Sequence, residues 1–247
     1  TILLSSPAGG SVMNAGEQLQ NHLERFFALR QHGDDALFLA RLGRVQAFQR
    51  QRLMDTHQAL LEDPALRPGV TFLLDDVYGG RDLLPVAREI RRALPKAMRL
   101  LPEKVMATSA DALEAAIITQ ELDEALVGVL GERLDLPLDD DAYGDGYRAA
   151  GHPEQRRRQL QLVAGLGHHI DRYVRSRMVQ TTFRLVRRPA HAAGFANLYD
   201  FMDRSFRVMK PVPSVGRLLE RIAAREACIM DRLFDRHPAP FKDVPNE

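Results

Sequence analysis

The sequence predicts an all-α fold, a multi-helix globular bundle of about nine to ten helices with a candidate division into two helical lobes. Three observations predict it. Apolar residues recur with the 3.6-residue helical period along most of the chain, no convincing run alternates polar and apolar side chains, and several segment ends carry helix start or stop signals.

The helices are expected in the following order. The first spans 15–32. The second spans 35–62, with Val45, Phe48 and Leu60 on its apolar face and Gln49 and Arg52 among them. A short amphipathic helix over 69–78 ends at Gly79, and Asp82 caps a helix over 83–101 that has Pro85 in its first turn and a kink or break at Pro95. Ser109 is expected to cap a helix over 109–131, whose apolar arc of Ile117, Ile118, Leu122, Ala125 and Val129 contains Glu114 and Glu121.

Pro137, Gly144, Gly146 and a cluster of acids then interrupt the pattern over 134–151, the candidate lobe boundary, although 139–150 retains helical character. His152-Pro153-Glu154 opens a helix over 154–177 with Val163, Leu166, Ile170, Tyr173 and Val174 on one face, a stripe that Arg177 extends. Helices follow over 178–187 and 190–209, the latter with a core stripe of Phe195, Leu198, Tyr199, Met202, Phe206 and Met209. The last helix, 214–236, carries Leu219, Ile222, Ala223, Ile229, Met230 and Leu233, with Glu226 near the centre of that stripe and Cys228 on the opposite, exposed side.

Residues 1–14 are read as a disordered tail or leader, 15–236 as one helical domain, and 237–247, with Pro238, Pro240 and Pro245, as an extended tail. The 247 residues are 45% hydrophobic and 27% charged, enough for one large core, and the formal net charge of +1 gives no global field toward nucleic acid or an anionic membrane. One cysteine, Cys228, excludes an intramolecular disulfide and fits a cytoplasmic location. No signal peptide or apolar run of spanning length is visible.

Chemical motifs are sparse. Asp139 to Asp145 resembles the start of a calcium loop, but Tyr143 and Ala150 stand where the fifth and twelfth ligands belong. Arg156-Arg157-Arg158 and Arg184, Arg187 and Arg188 lack the aromatic interleaving of a nucleic-acid groove, so a solvated charged face is expected there. His168-His169-Ile170-Asp171 invites a metal reading, yet the helical wheel leaves His168 in solvent and His169 at the edge of the apolar face. Glu-x-x-His, His-Glu-x-x-His, phosphate-loop and Cys-x-x-Cys motifs are absent, so no metal site is expected and no cofactor is indicated.

The informative residues are charges on apolar faces: Glu114, Glu121, Glu226, Arg52 and Arg177. An unpaired buried charge costs several kcal/mol, so these either pair in a structural network or line a polar pocket.

Phe72-Leu73-Leu74-Asp75-Asp76-Val77-Tyr78-Gly79 resembles the signature of a bacterial family of FFLEELY-motif proteins. Phe72, Leu74, Tyr78 and Gly79 match by identity, and aspartates replace both glutamates of the signature. Similar stretches extend from Phe26 to Phe241. The resemblance implies no reaction, cofactor or catalytic residue. The motif itself reads as a structural corner or as a binding surface made of Asp75, Asp76, Tyr78 and Arg81.

The leading expectation is therefore a cytoplasmic non-enzymatic module that binds a protein partner or small ligand. The alternative is an enzyme or a cofactor- or metal-binding helical protein with an inter-helix polar pocket drawn from Asp75, Asp76, Tyr78, Glu114, Glu121, His169, Arg177 and Glu226.

Overall fold

The computed structural model describes residues 13–31, 35–78 and 82–245, without the side chains of Val77 and Tyr78. Twelve α-helices are found among them, with one π-helical and one 3-10 segment, and no strand. Of the tail expected over 1–14, residues 1–12 lie outside the described residues, as do Gly79, Arg81 and the side chain of the candidate Tyr78.

α1 (Ala15–Leu29) begins at a reciprocal cap in which Asn14 accepts from the Glu17 amide and Glu17 accepts from the Asn14 amide. α2 (Ala36–Thr56) and α3 (Gln58–Glu62) replace the single helix expected over 35–62. The Thr56 hydroxyl turns back to donate to the Arg52 carbonyl (2.9 Å), and His57 at φ −113°, ψ 23° swings the chain into α3. α4 (Arg67–Phe72) widens into the π-helical Leu73–Tyr78, so the expected motif helix is irregular in its second half. α5 (Leu84–Leu100) passes through Pro95 without a break.

α6 (Glu103–Leu130) starts six residues before the expected cap, and Ser109 lies inside it with its hydroxyl donating to the Val105 carbonyl. The 3-10 segment Gly131–Asp135 and α7 (Asp140–Ala150) follow, and α8 is Pro153–Arg175. Ser176 then stops α8 and caps α9 (Arg177–Leu185), accepting from the Val179 amide at 3.3 Å. α10 (Arg187–Ala192) is separated from α11 (Ala196–Met209) by Gly194 at φ 79°, where one helix over 190–209 was expected. α12 (Val215–Phe234) closes the order.

α8 packs along α12, α1 along α6, and α6 joins these pairs by packing on α8. The α8–α12 approach is close because of a glycine: a Cβ on Gly167 would sit 3.0 Å from the Leu219 Cβ and 3.0 Å from the Val215 carbonyl oxygen. One apolar cluster joins α2, α6, α7 and α12 through Val45, Leu126, Tyr143, Ile229 and Leu233. Leu134 and Tyr147, from the expected lobe boundary, are buried in this cluster. So is Val244 of the C-terminal segment, which folds back with Arg232 donating to the carbonyls of Lys242 and Asp243. Cys228 is half-buried against the same cluster rather than exposed, and Val129, expected in the apolar arc of α6, is 46% exposed.

Candidate functional site

The break between α2 and α3 builds the centre of the site. Arg52 lies in the last full turn of α2 and His57 at its end, so both face the middle of α12, where Glu226 occupies the apolar stripe. Arg52 donates to Oε2 of Glu226, and His57 Nε2 donates to Oε1 at 2.9 Å. Burial works against a charge at Glu226, but the Arg52 guanidinium and the His57 hydrogen bond hold its carboxyl at about 2. It is therefore an anion at neutral pH and accepts from both neighbours. The Arg52 guanidinium also lies 5.7 Å from the centroid of the Phe241 ring.

One turn back along α2, Gln49 continues the polar seam. Its Nε2 donates to Asp123 Oδ1 at 2.5 Å, its Oε1 accepts from the Tyr143 hydroxyl at 3.3 Å, and Gln46 donates to Asp123 Oδ2 at 3.5 Å. Asp123 sits on α6 between Leu122 and Leu126 and is 3% exposed. Burial pushes its carboxyl up to about 7 against the opposing pull of the two glutamine amides and of Arg156. The Arg156 guanidinium carbon stands 3.6 Å from the Tyr147 ring centroid, and Arg156 Nε donates to the Gly151 carbonyl at 3.0 Å. Burial also raises the hydroxyls of Tyr143 and Tyr147 above the usual tyrosine range.

Beside the Glu226 group the surface opens into a hollow of about 370 Å³ lined by His57, Leu60, Arg221 and Arg225, with Asp55 and Glu62 on the α2–α3 side. Arg221 and Arg225 are one helical turn apart on α12 and so present two guanidinium groups on one side of the opening. Such an arrangement can grip a carboxylate or phosphate. Its acids also permit a ligand carrying a cationic group.

The expected inward residues divide. Glu226 and Arg52 do point inward and pair with each other. Arg177 does not: the chain turns at Ser176, and Arg177 opens α9 as an exposed residue instead of extending the α8 stripe. Glu114 and Glu121 are half-buried at helix seams. Glu114 receives two bonds from Arg158 (3.0 and 2.7 Å), whereas Glu121 receives Arg25 and Gln155, both at 2.5 Å. His169 lies on the α6–α8 seam near Asp111, with Nδ1 3.2 Å from the Thr108 hydroxyl. Asp75 pairs with Arg50 of α2, and buried Asp76 with Arg204 of α11 at 2.8 Å, so both motif acids tie the π-helical corner to its neighbours. These residues do not converge on one cavity. Among the described residues, no three of His, Cys, Asp and Glu are grouped to hold a metal ion.

His57, Asp123, Tyr143 and Arg156 belong to the polar seam but were not singled out by the sequence pattern as site residues. A chain turn at Thr56-His57 and the buried surroundings of α6 place them there, and neither is visible in a helical wheel.

A family model described as a domain of unknown function, DUF8198, matches residues 28–240. No curated protein and no solved structure matches the chain.

Proposed function

We propose that this chain, which belongs to the family described as a domain of unknown function (DUF8198), is a cytoplasmic, non-enzymatic binding module for a small anionic ligand. The observation that carries this reading is the hollow in which Arg221 and Arg225 stand one turn apart beside His57. Glu226 supports it from behind: by holding His57 through Nε2, it fixes the ring at the wall of the hollow. A carboxylate or phosphate between the two guanidinium groups would gain charge-assisted hydrogen bonds in a partly desolvated setting. The lone cysteine fits a reducing compartment. The resemblance of residues 72–79 to the FFLEELY signature fits a bacterial origin and adds no reaction.

A second reading, an enzyme using acid–base chemistry, draws on one observation. A histidine oriented by a buried carboxylate is the arrangement that general bases use. Among the described residues that line the hollow the one hydroxyl is that of Thr56, and it is committed to the Arg52 carbonyl at 2.9 Å, which favours binding over covalent catalysis.

Thermal-shift titration with inorganic phosphate, succinate and glutamate tests the binding reading. At least one probe should raise the melting temperature of the wild type and not that of Arg221→Ala. An equal shift in both proteins, or none with any probe, would count against it.

A further inference from the structure

Two exposed poles of this molecule complement each other in charge and in shape. The first is α9 with α10. Neither helix has a buried residue, and residues 177–192 carry Arg177, Arg184, Arg187, Arg188 and His191 with no acid among them. His191 pairs with Asp200, whereas none of the four arginines is paired with a carboxylate among the described residues. Met178 is 77% exposed and Leu185 74%. They are seven residues apart, two helical turns, so they share one face of α9, each directly following an arginine in sequence.

The second pole surrounds the 3-10 segment and the start of α7. Leu136 is 62% exposed and belongs to the wall of a hollow of about 450 Å³ lined also by Ala47, Phe48, Pro137 and Leu138, where the one cation, Arg44, is already paired with Asp135 at 3.2 Å. Glu132, Asp140 and Asp141, close in sequence to this wall, are exposed, and no basic partner is found for them among the described residues. The neighbouring Asp135, Asp139 and Asp145 are already paired, with Arg41, Arg133 and Arg148 respectively. α9 packs on α8 and α10, and α10 on α11, so within one molecule this face does not pack against the acidic pole.

We infer that copies of this chain associate head to tail, the α9–α10 face of one seating Met178 and Leu185 at the hollow beside Leu136 of the next while its arginines meet Glu132, Asp140 and Asp141. Knob and hole lie at different places on the same chain, so the contact is heterologous and generates a chain or ring instead of a two-fold dimer. A net charge of only +1 leaves little overall repulsion to oppose it. Arginine suits this role because its guanidinium group matches carboxylate geometry. The inference is independent of the ligand hollow at His57, which shares no residue with either pole.

Sedimentation velocity over a concentration series tests it. The wild type should show a sedimentation coefficient that rises with concentration and falls back in high salt. Two variants break the contact from opposite sides: Arg184→Glu with Arg188→Glu, and Glu132→Lys with Asp141→Lys. Each alone should sediment as a monomer, whereas an equimolar mixture should associate, because the two native poles pair and the two charge-reversed poles pair as well. The chain carrying all four substitutions should associate again. Circular dichroism melting establishes that each variant is folded, and Met178→Asp serves as a further disruption if the acidic-pole variant melts early. A wild type that stays monomeric would overturn the inference, including one that instead cosediments with phosphatidylserine vesicles through the α9 face. Variants that associate like the wild type, or a mixture that stays monomeric, would overturn it as well.

Discussion

His57 donates to Glu226 across 2.9 Å, tying the residue at which α2 turns into α3 to the middle of α12. Arg52 donates to the second oxygen of the same carboxylate, so one buried anion fixes both the end of α2 and the wall of the adjoining hollow.

Removing Glu226 takes from the Arg52 guanidinium the carboxylate it pairs with in the interior. Glu226→Ala should lower the unfolding free energy by about 3–5 kcal/mol in urea titration, since Arg52 is then buried without its counter-charge. Arg177→Ala, on the exposed start of α9, should change it by less than about 0.5 kcal/mol.

The two buried carboxylates act in opposite directions on the pH dependence of stability. Asp123 has its folded value raised from 3.8 to about 7, so between these values the folded chain holds a proton that the unfolded chain releases. Stability should therefore fall as pH rises from about 4 to 7, on the order of 4 kcal/mol at about 1.4 kcal/mol per unit. Glu226 is depressed from 4.5 to about 2, so its contribution is present above 4.5 and is lost as pH falls toward 2. Urea midpoints measured across this range should peak in mild acid. Asp123→Asn should flatten the decline above the peak and leave the acid limb in place.

Two glycines of α8 should respond oppositely to added carbon. Gly167→Val should cost about 2 kcal/mol or more, because its Cβ would meet the α12 backbone at Val215. A Cβ on Gly165 meets nothing within 4 Å, so Gly165→Ala should stabilise by up to about 1 kcal/mol through helix propensity and the unfolded chain. Thermal melting of both variants checks the contrast.

The helical class was legible because the 3.6-residue period persists, and Glu226 and Arg52 were legible because each interrupts an apolar stripe. Arg177 was misplaced for a local reason: Ser176 is a good cap residue, yet the apolar stripe leading up to it suggested continuity. His57 was hidden by a similar reading of 35–62 as a single helix. Asp123 escaped notice because α6 buries Ala115, Ile118, Leu122, Leu126 and Val127 around several sides, so its wheel has no clear wet face on which a polar residue would stand out. The pairing of Gln49 with Asp123 joins positions 74 apart in sequence, and only the packing of α2 on α6 reveals it.

The binding reading is tested most directly by the ring resonances of the histidines, followed by carbon–proton NMR during titration with inorganic phosphate and with succinate. His57 lines the hollow, whereas His168 and His191 are exposed elsewhere and paired with Glu220 and Asp200. With one of these probes, the account predicts a saturable shift at His57, none at His168 or His191, and loss of the effect in Arg221→Ala. An unmoved His57 with both probes, or equal shifts at all three histidines, would contradict it.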